Sequence, residues 1–381
     1  MDQATRQKEC KGRPEVLHLS FELGRKEWKL AFAVERSQKP RIRTLAAGDL
    51  QRVWQEIVAA RQRFKLAEDV RVVSCYEAGR DGFWLHRYLS TLGVDNVVVD
   101  SSSIEVNRRA RQAKTDGLDV QRLLSLLLRY HDGERRVWSV VRVPSVEQED
   151  GRQLHRDWEV LKKERTFHRN RITALLVSQG LHLAVRADFG ERLEDLRLWD
   201  QSSLPTEMKE RLKREWERLE LVEKQIRELK TLREEKVSSG EGIAMKLIQQ
   251  LVLLRAIGMT SAWLFVQEFF AWRQFRNRRE VGSLAGLVPM PYKSGESLDR
   301  EQGISKAGNV RLRTMAIEIA WAWLRYQPQS QLSLWFKERY GPGTRRSRRV
   351  GIVAVARKLL VALWRYLETG VLPEGAVLKS E

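Results

Sequence analysis

Alternating strand and helix patterns over the first 130 residues constrain the fold of this chain most strongly. Residues 16–22 (VLHLSFE) and 28–34 (WKLAFAV) alternate in the manner of strands, and the turn between them indicates a β-hairpin. A run of strand-forming residues at 70–76 (VRVVSCY) indicates a buried strand. The pattern also predicts strands at 41–45 and 97–99 and helices at 49–64, 82–92 and 116–130. This order predicts a mixed α/β sheet with helices on its faces.

Near-heptad apolar spacing distinguishes the middle of the chain. Two series carry it, one from Leu154 to Leu175 and one from Met208 to Leu232, with dense charged residues between their members. Such spacing predicts long paired helices, and Gly190 and Pro205 lie in the segment that must turn the chain between them. An antiparallel coiled-coil hairpin is the simplest arrangement. Pairing between chains, which would make oligomers, and a plain helical spacer are the alternatives.

A third region follows the linker at residues 236–242 (KVSSGEG). Two apolar helical stretches meet at a break at 257–260, a polar loop occupies 292–309, and a helix follows at 310–324. The fold class predicted from the whole chain is α/β plus α. We predict three domains, at residues 1–146, 147–240 and 241–381, the last of them mainly helical.

An excess of positive charge indicates a polyanionic partner. The chain has 69 Lys and Arg against 50 Asp and Glu, a formal net charge of +19. Because the charge lies in patches along the whole length, it favours nucleic acid over an acidic membrane surface, although any single patch is also typical of a solvated helix face. The candidate nucleic-acid contacts are Arg108, Arg109, Arg111, Lys114, Lys293, Lys306, Arg311, Arg345, Arg346, Arg348 and Arg349.

Cysteine content and hydropathy indicate the compartment. Cys10 and Cys75 are too few for a disulfide framework, and neither has the neighbours of a zinc cluster. No stretch reaches the roughly 18 apolar residues that a membrane span needs. We therefore expect a cytoplasmic protein with no membrane partner.

Four carboxylates are candidates for chemistry. Glu22 and Glu77 each end a predicted strand, and functional groups gather where the strands of an open α/β sheet end. Asp116 and Asp119 are three residues apart at a helix start and share one face. Four converging acids would repel one another unless a hard cation such as Mg²⁺ held them. The alternatives are a capping box for the Asp pair and ordinary surface positions for the Glu pair.

Two further features bear on nucleic-acid chemistry. The cations at Arg108, Arg109, Arg111 and Lys114 directly precede Asp116, an arrangement suited to holding a phosphate backbone beside a metal site. Ser294 lies in a polar loop, Tyr-Lys-Ser-Gly-Glu, and a serine there can act as a nucleophile. Because no adjacent His or Asp supplies a base, an ordinary turn serine is the alternative.

Four stretches resemble one known family. They are FELGRKEWKLAFA from residue 21, CYEAG from 75, AKTDGLDV from 113, and LAGLVPMPYKSG from 284 followed by GISKAGNVRLR from 303. With these motifs the chain resembles the DEDD-type insertion-sequence transposases, which include the bridge-RNA-guided serine recombinases. The resemblance covers nearly the whole length.

The resemblance implies a fold and a set of site residues. It implies an N-terminal RuvC-like domain of the ribonuclease H type, a coiled-coil insertion and a C-terminal transposase domain. The acidic tetrad falls on Glu22, Glu77, Asp116 and Asp119, and the nucleophilic serine falls on Ser294. One departure is that the family's first acid is usually Asp, where this chain has Glu22.

The resemblance also implies an activity and partners. It implies an Mg²⁺-assisted recombinase that forms a phosphoserine link with DNA, acts on element-end and target DNA, and takes its specificity from a non-coding bridge RNA. The active site would be completed between subunits of a dimer or tetramer, and the protein would be associated with the bacterial nucleoid. A DNA invertase or junction nuclease that uses metal-activated water, and a non-catalytic RNA- and DNA-binding scaffold, are the alternatives.

Overall fold

The structure is a computed structural model that describes residues 15–80, 82–105, 116–292 and 300–379. The side chains of Ser102, Asp116 and residues 291–292 and 300–302 lie outside that description. The chain forms two compact units, one up to Pro144 and one from Ser145 onward. The division into three domains stays a prediction.

A five-stranded mixed sheet forms the centre of the first unit, in the order β3-β2-β1-β4-β5. Strands β1, β2 and β3 make an antiparallel meander, and β4 and β5 continue the sheet parallel to β1. This is the predicted mixed sheet. The strands are β1 Val16–Leu23, β2 Glu27–Ala33, β3 Arg41–Ala46, β4 Arg71–Glu77 and β5 Asp95–Val99.

Helices cover both faces of this sheet. They are α1 Leu50–Arg63, α2 Trp84–Thr91 and α3 Asp116–His131. The alternation in β1 decides which side chains face which helix. Leu17, Leu19 and Phe21 are fully or almost fully buried in one cluster with side chains of α1 and α2. His18 and Ser20 point to the opposite face, where α3 packs. Burying one such Leu or Phe contributes roughly 1.5–3 kcal/mol, so the alternation fixes the register of the strand.

Two long helices open the second unit and run antiparallel. They are α4 Val146–Val177 and α6 Thr206–Ser239, and the short helix α5 Phe189–Arg192 lies between them. The guanidinium of Arg233 lies over the ring of Trp158, and His168 pairs with Glu215, so a later residue on α4 meets an earlier residue on α6. The apolar face of α6 packs against Ile172 and Leu176 of α4. The predicted antiparallel hairpin is confirmed, while a supercoiled geometry stays a prediction.

The rest of the second unit is a helical assembly around one large apolar core. Its most buried large side chains include Trp263, Phe265, Phe269 and Trp323. A π-helical segment, Val266–Phe270, directly continues α8. The elements are α7 Gly242–Val252, α8 Met259–Phe265, α9 Arg278–Leu284, β6 Pro289–Tyr292, β7 Arg300–Ile304, α10 Val310–Tyr326, α11 Gln331–Tyr340 and α12 Arg345–Thr369.

One sequence expectation was wrong in this unit. The segment predicted as a polar loop at 292–309 contains β7, which pairs antiparallel with β6 to form a two-stranded ribbon. The pattern hid this ribbon because Pro289 and Pro291 in β6, and charged residues in β7, are poor strand formers. Within the ranges given above, no helix is long and apolar enough to cross a membrane.

Stability of the first unit should depend on the pH through His18. Burial, with a smaller contribution from nearby His131, lowers the pKa of His18 to about 4. The unfolded chain, with a pKa near 6.5, therefore takes up this proton first. Stability that is present above pH 6.5 is lost as the pH falls toward 4, by about 3 kcal/mol from this group. Urea denaturation at pH 7 and 4.5 should show a smaller loss in His18→Gln than in wild type.

Exposed His182 provides the control for this measurement. His182→Gln should keep the wild-type dependence on pH. An equal loss of stability in wild type and His18→Gln would contradict the assignment of the effect to His18.

Candidate active site

Two of the predicted acids lie side by side where neighbouring parallel strands end. Strand β1 pairs with β4 so that Phe21 is opposite Tyr76, which makes Glu22 and Glu77 the next neighbours on strands spaced about 4.8 Å apart. Both side chains lie on the same face of the sheet as Ser20 and Cys75, two residues earlier. Glu22 is half-buried and Glu77 is exposed. The structure thus brings these two carboxylates to one edge of the sheet.

Helix α3 begins over the same edge. The Ser20 hydroxyl donates a 2.7 Å hydrogen bond to the carbonyl oxygen of Val120. Asp119 directly precedes Val120, and Asp116 is the first residue of the helix. The far end of α3 lies beside the other end of β1, where His131 Nδ1 is 3.1 Å from His18 Nε2. The helix start that carries both Asp residues is therefore at the Glu22 end of β1.

The chemistry open to this edge is that of carboxylates. Cys75 lies on the same face, but burial raises the pKa of its thiol, which keeps it protonated and unreactive. Among the described side chains, no three His, Cys, Asp or Glu are gathered closely enough to hold a metal ion. The side chain of Asp116 is outside that description. The donor set itself, all carboxylate oxygen, is the kind that a hard divalent cation takes.

The predicted nucleophile falls, in the sequence, between strands β6 and β7. Ser294 and Lys293 lie outside the described residues, between the two strands. The base of the ribbon is described and is tightly closed. The amide of Ser305 donates to the carbonyl of Val288 at 2.9 Å, and the amide of Lys306 donates to the carbonyl of Gly286 at 3.2 Å.

Two glycines make this closure possible. Gly286 and Gly308 have φ values of +68° and +80°, which favour glycine. A Cβ on Gly286 would overlap the carbonyl oxygen of Ala307, and a Cβ on Gly308 would overlap that of Leu284. The side chain of Arg313 donates to the carbonyl oxygens of Lys306 and Ala307 at 3.0 and 3.3 Å. The backbones on the two sides of the ribbon therefore meet without intervening side chains.

A buried carboxylate anchors the end of this base. Glu268, only 1% exposed, accepts two hydrogen bonds from Arg156 of α4 and one of 2.9 Å from the Asn309 side-chain amide. Asn309 also caps α10, since its side-chain oxygen accepts from the amide of Leu312. Sequence reasoning missed this anchor. The only signal was an Asn directly before a predicted helix, which is typical of an N-cap.

The predicted nucleic-acid contacts divide into four groups. The guanidinium of Arg311 pairs with Glu159 of α4. Lys306, Arg346 and Arg349 line one groove of the second unit, and Arg345 and Arg348 are exposed in the first turn of α12. The remaining predicted contacts lie outside the described residues: Arg108, Arg109, Arg111, Lys114 and Lys293.

Comparison with known proteins gives the class. A profile described as "Transposase IS116/IS110/IS902 family" matches residues 249–334. A putative transposase, y4rJ, of Sinorhizobium fredii is 40% identical over 378 residues, which cover 96% of this chain and 95% of that protein. The transposase for insertion sequence element IS1111A of Coxiella burnetii is 27% identical over 326 residues, 82% of this chain and 84% of that protein.

These matches define a transposase, an enzyme class that cleaves and transfers DNA strands. The chain belongs to the IS116/IS110/IS902 family of transposases. The profile match spans the ribbon and the Asn309 anchor, so the family signature falls on the part of the second unit described above.

Gly286→Ala should destabilise the second unit. The new methyl group meets the Ala307 carbonyl oxygen and forces a positive φ on an L-residue, which together cost about 2–4 kcal/mol. We expect a lower midpoint of thermal unfolding and weaker DNA cleavage. Gly303, with a φ of +80° but no atom near its Cβ position, is the matched control. Gly303→Ala should cost only about 1 kcal/mol. Equal losses in the two variants would contradict the clash at Gly286.

Proposed function

We propose that this protein is the transposase of its own insertion sequence and cleaves and rejoins DNA through a phosphoserine intermediate on Ser294. Glu22, Glu77, Asp116 and Asp119 form the acidic tetrad of the proposed RuvC-like domain. The observation that carries the proposal is the meeting of Glu22 and Glu77 at adjacent strand ends, with the start of α3 over the same edge. The sequence motif around Ser294 supports the assignment of that serine as the nucleophile.

In the proposed reaction the Ser294 hydroxyl oxygen attacks a phosphorus atom of the DNA backbone. A bond from phosphorus to the serine oxygen forms, the bond to one deoxyribose oxygen breaks, and the serine proton is lost while the leaving oxygen gains one. The phosphoserine link conserves the energy of the broken bond. A deoxyribose hydroxyl of a second strand then attacks the same phosphorus and releases Ser294.

The four carboxylates are the proposed ligands of Mg²⁺. Their oxygen atoms suit this cation, and like charges at one edge of a sheet repel one another less when a cation lies between them. When bound, Mg²⁺ supplies charge neutralisation at the phosphate and at the leaving oxygen, and favours loss of the serine proton. This role removes the need for a His base next to Ser294. Glu22, in place of the usual Asp, reaches one methylene further.

RNA guidance and assembly are part of the proposal. The motifs that resemble bridge-RNA-guided recombinases support a non-coding RNA partner that pairs with element-end and target DNA. The positive charge of the chain, +19, supports simultaneous binding of RNA and DNA. The long antiparallel helices α4 and α6 support assembly into a dimer or tetramer. A purified complex that contains an RNA encoded next to the gene would test this part.

The test of the function is to trap the intermediate. Wild-type protein is incubated with end-labelled element DNA and Mg²⁺, denatured, and separated on a gel before and after protease digestion. We expect a protease-sensitive protein–DNA adduct, and mass spectrometry should place the nucleotide on the peptide that contains Ser294. Cleavage without an adduct would favour the nuclease that uses water. The absence of cleavage would favour the non-catalytic scaffold.

A further inference from the structure

A groove of about 1300 Å³ in the second unit is lined by both cationic and apolar side chains. Among the described side chains, seven cations line it and Glu374 is the only acidic residue there. Five of the cations lie along α12: Arg346, Arg349, Arg357, Lys358 and Arg365. From the first to the last of them the helix rises through 19 residue steps, or about 28 Å. Arg278 and Lys306 face the groove from α9 and from the base of the ribbon.

The charge of these cations is not compensated by carboxylates within the described part of the chain. Elsewhere in that part many arginines are paired. Three of them share Glu56, and Arg156, Arg169 and Arg311 each hold a glutamate. Six of the seven groove cations are exposed, and Arg357 is half-buried. Helix α12 also begins with four arginines and no acid in its first turn, which its own dipole disfavours. An anionic ligand would reduce both the repulsion among the groove cations and the unfavourable interaction of the arginines with the helix dipole.

Apolar side chains alternate with these cations. Val353 and Val361 lie on the same stripe of α12, half-buried. Two further valines line the groove. Val350, near the start of α12, is 53% exposed, and Val371, just after the end of that helix, is 69% exposed. A DNA duplex presents mainly sugar and phosphate to a cationic surface and would leave these valines without a partner. An unpaired strand presents phosphates and the apolar faces of its bases together.

We propose that this groove binds one unpaired DNA strand, with its phosphates on the cations of α12 and its bases against the apolar wall. The groove passes Pro289 and Ile304 at the base of the β6–β7 ribbon. A strand bound there would lie beside β6 and β7, and Ser294 falls between these two strands in the sequence. The binding does not depend on the chemistry of that serine, so Ser294→Ala should bind the strand as wild type does.

The test uses the full-length protein and fluorescence anisotropy. The probes are a labelled DNA strand of about 12 nucleotides, the duplex of the same sequence, and the RNA strand of the same sequence. The groove variants are the pairs Arg346→Gln with Arg349→Gln and Lys358→Gln with Arg365→Gln. All four residues are exposed, so the fold should be kept, and circular dichroism checks it. The matched control is Lys213→Gln with Arg214→Gln, two exposed cations of α6 that remove the same charge.

We expect each groove pair to weaken binding of the DNA strand more than binding of the duplex or of the RNA strand. Each groove pair should weaken binding of the DNA strand on the order of 100-fold, about tenfold for each cation. The slope of the logarithm of affinity against the logarithm of salt concentration should become shallower by about 0.7 for each lost phosphate contact. The control pair should change the affinity for the DNA strand by less than about threefold. An equal loss in the control pair, or a loss of duplex or RNA binding in the groove pairs as large as the loss of strand binding, would overturn the proposal.

Discussion

Ser294→Ala is expected to lose the protein–DNA adduct and strand cleavage together, by on the order of 10⁴-fold or more. In the proposed reaction the serine oxygen is itself one of the reacting atoms, and alanine offers nothing in its place. The measurement is single-turnover cleavage of labelled element DNA, with adduct formation followed on the same gel. Binding of that DNA should be unchanged, because the methyl group removes no cation.

Ser297, three residues further along the same segment, is the matched control. Ser297→Ala makes the same chemical change and should keep cleavage within about threefold of wild type, since no reacting atom is removed. Cleavage by Ser294→Ala at the wild-type rate would contradict the nucleophile assignment. Cleavage by that variant without an adduct would point to metal-activated water.

Glu77→Gln is expected to lower cleavage on the order of 10³-fold while leaving the protein folded. The side chain ends strand β4 and is exposed, so the amide costs little stability. Removing one charge from the proposed tetrad weakens its hold on a divalent cation and with it the stabilisation of the charged transition state, a contribution of several kcal/mol. Cleavage rates measured across a range of Mg²⁺ concentrations should show a need for more Mg²⁺ in the variant.

The other end of the same strand offers the control for this change. Glu68 is exposed in the turn that precedes β4, and Glu68→Gln removes the same charge away from the proposed site. It should cleave at the wild-type rate. At the first position of the tetrad, Glu22→Asp should keep or raise activity. Wild-type activity in Glu22→Ala would remove Glu22 from the set of ligands.

The N-terminal sheet could be predicted because its sequence signals are local. Alternation in β1 and β2 and the buried run in β4 each fit one backbone period, and the structure has these strands and the helices between them within a few residues of the predicted bounds. The meeting of Glu22 with Glu77 followed from a general rule about where parallel strands end. Only the order of the strands in the sheet depends on contacts between residues that are distant in the sequence.

The features that the sequence did not reveal depend on contacts between distant residues. The Arg156, Glu268 and Asn309 anchor joins three elements, and its carboxylate lies in a π-helical segment that no apolar period indicates. Arg311 was predicted as a contact to nucleic acid, but its partner within the protein, Glu159, is 152 residues away. Charge patterns locate cations along the chain but do not show which of them fold against an acid.

The glycine-closed base of the β6–β7 ribbon has a consequence for how the segment between the strands can vary. Because main-chain hydrogen bonds at Val288 and Gly286 already hold the two ends together, most of the loop-closure entropy is fixed there. Doubling the length of residues 293–299 would then cost only about 0.6 kcal/mol. Insertions in this segment should therefore be tolerated by the fold, and a deep insertion scan should report on activity alone.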